Sequence, residues 1–214
     1  MSFDDRAHAG RELAQALLAW RGRPEVLVLA LPRGGVPVAA PIAYALGAPL
    51  DVLVVRKLGH PAHAEFAVGA IGAGGVRVVT QANASGVDPM ALEAVVRREA
   101  AELARREALY RPGCAPLALG GRCVILVDDG LATGATMRAA IEVARAAGAA
   151  RIVVAAPVAA RAAVDDLRTL ASEVVVLRTP EPFRAVGQGY RDFEQTTDDE
   201  VRDLLLARGG AARR

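Results

Sequence analysis

The sequence predicts an α/β fold, a parallel β-sheet flanked by helices with a small C-terminal hood, and three observations point to it. Short apolar runs alternate with longer segments of helical character, the order that builds a parallel sheet with right-handed crossovers. Hydrophobic residues make up 53% of the 214 residues, and much of that share is Ala and Val. Such a composition suits small-residue helices packed on a sheet buried on both faces. An apolar run also ends in two adjacent carboxylates, at what would be the C-terminal edge of a strand. The length fits one domain, 1–207, with the hood over 179–197 and a disordered tail over 208–214.

Taken in order, residues 4–20 read as an amphipathic helix with Leu13, Leu17 and Leu18 on one face. Val26–Leu31 is a strand that ends in Pro32-Arg33-Gly34-Gly35, and 36–46 is a helix stopped by Gly47. The strand over 51–55 ends at Arg56-Lys57. Residues 58–75 hold five glycines, a proline and two histidines, and read as a long loop or flexible hairpin, the usual material of a lid. A short strand follows over 76–80. Asp88-Pro89 opens a long helix, with Asp88 as cap and Pro89 in the first turn. Its Arg-rich stretch, 97–106, is laced with Glu, and the i,i+4 pair Glu102/Arg106 reads as a solvated face. Cys123–Val127 is a strand, 137–147 a helix, 151–156 a strand, 161–170 a helix and 173–177 a last strand. Thr197 to Glu200 reads as the capping box of a terminal helix.

The bulk numbers exclude several classes. A formal net charge of +2 makes no case for a nucleic-acid binder. The two cysteines, Cys114 and Cys123, form no CxxC or Cys/His cluster, which argues against a zinc site. No signal-like apolar segment and no uninterrupted span of bilayer length stands in the sequence, so the expectation is a cytoplasmic protein with no membrane partner.

The strongest chemical signal is the run from Val124 to Thr136, VILVDDGLATGAT. A strand delivers Asp128 and Asp129 to its C-terminal edge, where ligands bind in open α/β sheets. The loop Ala132-Thr133-Gly134-Ala135-Thr136 then enters a helix. Small residues let backbone amides approach a ligand, and the helix N-terminus attracts anions. One segment therefore offers an anion cradle beside two acidic acceptors, the shape of a sugar phosphate. A plain Asp-Asp strand end in another nucleotide-binding or phosphoacceptor fold is the bland alternative. A Walker loop is excluded, because no Gly-Lys-Ser/Thr follows.

This run resembles the phosphoribosyl pyrophosphate signature of type I phosphoribosyltransferases. The resemblance implies that Asp128 and Asp129 lie along the ribose hydroxyls and that residues 132–136 hold the 5-phosphate. It implies a pyrophosphate loop at Arg33, Gly34 and Gly35, often of unusual peptide geometry. It also implies a basic pyrophosphate contact at Arg56 and Lys57, leading into a lid that carries His60, His63 and Glu65. Lys57 is the sole lysine of the chain. Mg2+ is the implied cofactor, held chiefly through the substrate, with Asp128 and Asp129 as the protein groups in reach. Phe183, Tyr190 and Phe193 of the hood are candidates to stack on an acceptor base, or else to anchor the segment to the core. Ala132 stands where enzymes for 6-oxopurines carry an Asp, which counts against that substrate class.

The expected activity is therefore Mg-dependent transfer of phosphoribose from phosphoribosyl pyrophosphate to a nitrogenous acceptor, a nucleobase other than a 6-oxopurine, with release of pyrophosphate. Asp128, Asp129 and Lys57 are the expected catalytic groups. Proteins of this type often form homodimers. The alternative is a regulator that senses phosphoribosyl pyrophosphate and binds nucleic acid through the 97–106 helix.

Overall fold

The structure is a computed structural model that describes residues 2–208, without the side chains of 64, 65, 81, 82 and 208. The expectations placed on Glu65 and on tail residues 209–214 fall outside the described residues. The elements in chain order are α1 (Arg6–Ala16), β1 (Val26–Ala30), α2 (Gly35–Leu46), β2 (Leu50–Val52), β3 (Val55–His60), β4 (His63–Gly72), β5 (Val76–Val79), α3 (Gln81–Ala84), α4 (Pro89–Tyr110), β6 (Cys123–Val127), α5 (Ala135–Ala146), β7 (Arg151–Val158), α6 (Arg161–Arg168), β8 (Glu173–Arg178) and α7 (Asp198–Arg208).

Five strands form a wholly parallel sheet in the order β2-β1-β6-β7-β8. β1 and β6 are buried along their whole length, which is why they read as unbroken apolar runs. Their side chains still alternate between two cores. Val26, Val28, Ala30, Ile125 and Val127 join the core of α1, α2, α4 and α7. Leu27, Leu29, Val124 and Leu126 pack on the other side with α5 and α6. The strand order reverses between β1 and β6, because the chain moves outward to β2 on one side and to β7 and β8 on the other. That reversal opens a crevice at the carboxyl ends of β1 and β6.

Of the two readings of 58–75, loop or hairpin, the structure bears out the hairpin. It belongs to a second, antiparallel sheet in the order β3-β4-β5, with a tight connection at Pro61-Ala62. Two of its glycines serve close packing: a Cβ on Gly69 would stand 3.1 Å from Val79 Cα, and one on Gly72 would run into Val143 of α5. One expectation is corrected. The core strand β2 stops at Val52, and Arg56 and Lys57 lie within β3 of the small sheet, not at the end of a core strand.

The helix ends are as their chemistry requires. Asp88 Oδ1 accepts the Met90 amide at 3.1 Å. Glu200 Oε2 accepts the Thr197 amide at 2.7 Å while Thr197 Oγ1 accepts the Glu200 amide at 3.2 Å, a complete capping box. After β8 the hood returns across the top of the sheet and ties to the N-terminus. The Phe3 amide donates to Gly189 O at 2.7 Å, and the Arg191 amide donates to Phe3 O at 2.8 Å.

Candidate functional site

Two loops meet at the reversal point. The first follows β1 and runs through Pro32, Arg33, Gly34 and Gly35; its Pro32–Arg33 peptide is cis. The second follows β6 and begins with Asp128 and Asp129. Their contact leaves no room for side chains on the glycines. A Cβ on Gly34 would lie 2.6 Å from Asp129 Cγ, and one on Gly35 would lie 2.5 Å from Val127 O. The glycines are thus demanded by the approach of the two loops, in addition to any ligand.

Beyond Asp129 the chain is pinned by Leu131. Its amide donates to Val158 O at 2.9 Å and its carbonyl accepts the Ala160 amide at 2.8 Å. The following turn reaches α5 through Gly134, whose φ of 71° lies in the left-handed region that only glycine adopts cheaply. Thr133 Oγ1 accepts the Ala135 amide at 3.3 Å. The result is a cleft of about 170 Å3 lined by Asp128, residues 130–137 and Val186 of the hood. Its floor is the N-terminus of a 12-residue helix, the fixed dipole expected for an anion.

The two carboxylates are held differently. Asp128 Oδ1 accepts the Asp129 amide at 2.9 Å. Burial, then the neighbouring Asp129 charge, pushes the Asp128 carboxyl well above the usual carboxylate range. Asp129 Oδ2 accepts Arg6 Nε at 2.8 Å, an ion pair whose side chains are 12% and 16% exposed. Burial raises the Asp129 carboxyl as well, with Arg6 acting against it. Arg6 also donates from Nη1 to Glu194 O at 2.6 Å, and its guanidinium sits 3.9 Å from the centre of the Phe193 ring. From above, the Tyr190 hydroxyl donates to the backbone carbonyl of Asp129 at 2.5 Å. The Tyr190 ring lies 4.9 Å from Phe193 in a stacked arrangement and 5.6 Å from Phe3.

The structure therefore brings Arg33, Gly34, Gly35, Asp128, Asp129 and residues 132–136 to one crevice, and Tyr190 and Phe193 to its hood side. Tyr190 and Phe193 stack on each other and Phe193 carries Arg6, while Phe183 packs at the edge of the cluster formed by Phe3, Val158 and Tyr190. Arg33 leans toward the start of α7, with Nη1 3.7 Å from Asp198 Oδ1. The same oxygen accepts the Tyr110 hydroxyl at 2.6 Å, and burial pushes that phenol up to about 12.

Arg56 and Lys57 line a separate cleft of about 300 Å3 with His60 and Arg98, between the β3–β4 hairpin and α4. Arg56 is held there by Glu99, with Nη2 2.7 Å from Oε2, whereas Lys57 is exposed. Burial works against the Glu99 charge, but hydrogen bonds from Arg56 and Arg98 prevail and keep it below the usual carboxylate range. On the rest of α4, Glu102 is bonded to both Arg105 and Arg106.

For Mg2+ the donor set is spare. No three His, Cys, Asp or Glu side chains cluster to hold an ion among the described residues. Mg2+ needs only one or two carboxylates plus substrate oxygens, and Asp128 Oδ2 makes no hydrogen bond among the described residues, so the residues fit. No helix among the described residues is long and apolar enough to cross a membrane. Cys114 and Cys123 are free thiols.

The sequence reading passed over Arg6 and Tyr110 and took Asp198 only as part of the cap of the terminal helix. Arg6 had one local signal: a cation in the first turn of a helix opposes the dipole and so needs another partner.

A family model described as phosphoribosyl transferase domain matches residues 4–190. Two curated Mycobacterium tuberculosis proteins, from two different strains and provisionally named phosphoribosyl transferases, are each 53% identical over 201 residues. Those matches cover 93% of this chain but only 45% of each relative, so the chain spans about half their length. A solved structure from Thermus thermophilus superposes with a TM-score of 0.87 at 46% identity, over 97% of this chain and 99% of that one. A solved Aquifex aeolicus protein shares the fold, with a TM-score of 0.51 at 13% identity over 94% of this chain and 85% of its own.

Proposed function

The chain belongs to the phosphoribosyl transferase domain family, a family of enzymes, and from that premise we propose that it moves phosphoribose from phosphoribosyl pyrophosphate to a nitrogenous acceptor. The observation that carries this reading is the meeting of the Pro32–Gly35 loop with the Asp128–Asp129 carboxylates and the 130–137 cradle at the strand-order reversal. Three chemically distinct groups then face one sugar phosphate.

The amides at the N-terminus of α5, with Thr133 and Thr136, take the 5-phosphate. Asp128 accepts from the ribose hydroxyls and orients the ring. Asp129, fixed by Arg6 and Tyr190, holds the Gly34–Gly35 loop in register, so that its amides face the departing pyrophosphate. Arg33 belongs to the same loop and adds a forked donor. Asp128 would hold Mg2+, which when bound would supply charge neutralisation to the leaving group. The protein forms no covalent bond to the sugar; it positions the reactants and excludes water. Arg56 and Lys57 stand in the separate hairpin cleft, and they reach the pyrophosphate only if the hairpin folds over the crevice. The hood receives the acceptor, and the small Ala132 disfavours a 6-oxopurine. In this reading the protein works in the cytoplasm, where its two thiols stay reduced.

Titration calorimetry with phosphoribosyl pyrophosphate and Mg2+ tests the first half, and pyrophosphate release across purines, pyrimidines and small amines tests the second. Absence of binding heat in the parent protein, and no change in Asp128→Ala or Asp129→Ala, defeats the proposal.

A further inference from the structure

The cleft of about 300 Å3 between the β3–β4 hairpin and α4 carries an unbalanced charge. Arg56, Lys57 and Arg98 face Glu99, the one carboxylate among its described walls, so three cations less one anion leave an excess of two positive charges. Both Glu99 oxygens are already taken. Oε2 accepts Arg56 Nε at 2.9 Å and lies 2.7 Å from its Nη2, and Oε1 accepts Arg98 Nε at 3.1 Å. The Glu99 side chain is only 10% exposed, so it is a fixed post that orients both guanidiniums. The donors left over are Nη1 of Arg56, both Nη groups of Arg98 and Nζ of Lys57. None of them has a protein partner among the described residues. His60 adds a directed neutral donor: its Nδ1 accepts the Ala62 amide at 3.1 Å, which leaves the ring proton on Nε2.

This positive charge is not one end of a long stripe. Further along α4, Arg105 and Arg106 are both bonded to Glu102. It also stands apart from the crevice. α4 meets the crevice at Tyr110, whose hydroxyl shares Asp198 with Arg33. Arg98 lies about 18 Å back along the helix axis from Tyr110, at about 1.5 Å per residue.

We propose that this cleft binds a small phosphate-bearing anion, and that the bound anion ties the hairpin to α4 and withholds Arg56 and Lys57 from the crevice. A phosphate group near neutral pH carries close to two negative charges, which matches the excess in the cleft. The two free Nη groups of Arg98 lie side by side, the arrangement that meets two phosphate oxygens at once. Arg56 Nη1 and Lys57 bring further charge from the hairpin, and His60 Nε2 donates without adding any. An anion bonded to Arg56 and Lys57 on one element and to Arg98 on the other bridges the two. The hairpin then folds over the crevice only after the anion leaves. The withholding rests on the transfer reading above, whereas the anion site stands without it.

The probe is inorganic phosphate, titrated into the full chain at ionic strength held constant with sodium chloride and followed by backbone amide NMR. The expected result is a saturating shift of amides 56–60 and 95–99, distinct from any response of the 132–136 cradle, together with slower amide exchange in the hairpin. Arg98→Gln changes a side chain that is 68% exposed, so the fold should survive. It should weaken binding at the cleft by about fivefold, the scale of one exposed ion pair, and leave the cradle response unchanged. Calorimetry with phosphoribosyl pyrophosphate then reads the restraint. Phosphate competes at the cradle equally in both proteins, so added phosphate should lower that affinity more in the parent than in Arg98→Gln. No response at 56–60 and 95–99, a response that chloride alone reproduces, or one untouched by Arg98→Gln overturns the anion site while the transfer reading stands. An equal loss of phosphoribosyl pyrophosphate affinity in the two proteins overturns the restraint on the hairpin. A cleft response in a protein with no affinity for phosphoribosyl pyrophosphate upholds the anion site and removes the restraint together with the transfer reading.

Discussion

Replacing Arg6 by Gln removes the cation that holds Asp129 beside Asp128, and the cost can be worked from the contacts. The pair is nearly enclosed, with side chains 12% and 16% exposed, so losing one partner leaves a charge with little water to replace it. Breaking such a pair costs about 3–5 kcal/mol when it is fully buried, and the crevice position argues for the lower end, about 3 kcal/mol. For a chain of this size each kcal/mol lowers the melting temperature by about 2–4 °C, so the expected fall is about 6–12 °C. The effect should depend on pH with a definite sign. Burial already raises the Asp129 carboxyl, and without Arg6 it rises further. A group whose folded pKa lies above its unfolded value costs stability at high pH, and the cost fades as pH falls through the folded pKa. Arg6→Gln should therefore be most destabilised at about pH 7.5 and should approach the parent toward about pH 5. Urea melts at the two pH values give the numbers, and the double variant Arg6→Gln/Asp129→Asn should recover at least half the loss. A single variant within about 0.5 kcal/mol of the parent at both pH values would refute the reasoning, because it would mean that the pair is effectively solvated.

Other substitutions probe the same crevice. Asp128→Asn removes a buried charge set against a like neighbour and should raise stability by about 0.5–2 kcal/mol in thermal melts, while phosphoribosyl pyrophosphate binding is lost in calorimetry. Gly34→Ala places a Cβ 2.6 Å from Asp129 Cγ; it should force the two loops apart and weaken phosphoribosyl pyrophosphate binding by at least about tenfold, roughly the loss of one charge-assisted contact. Glu99→Gln should release Arg56 and speed amide exchange in the β3–β4 hairpin. In the parent, the Glu99 contribution is present above the usual carboxylate pKa and is lost as pH falls below it, since the folded pKa is depressed; exchange measured at acid pH should approach that of the variant.

Much of this molecule could be read locally. β6 spans Cys123–Val127 in both readings because a strand buried on both faces is an unbroken apolar run closed by Arg122 and Asp128. The capping boundaries of α4 and α7 were equally legible, since an Asx or Thr cap acts over three residues. The hairpin was harder. Its glycines read as flexibility, but Gly69 and Gly72 admit Val79 and Val143, and those neighbours are set by sheet pairing and by α5.

The amino-acid sequence by itself determined the parallel sheet, the two Gly-rich loops and the Asp-Asp edge, because each depends on side-chain periodicity or backbone freedom within a few residues. Only the tertiary structure decided what surrounds them. Arg6 and Asp129 are separated by 123 positions, and nothing in either segment names the other. Chain reversal at the hood places Tyr190 over the Asp129 carbonyl and Asp198 beside Arg33. Strand order likewise sends Arg56 to Glu99 and away from the wall of the loop cleft. Ion pairs and desolvation act through space, so the electrostatics of the crevice exist only once the sheet has brought these distant residues together.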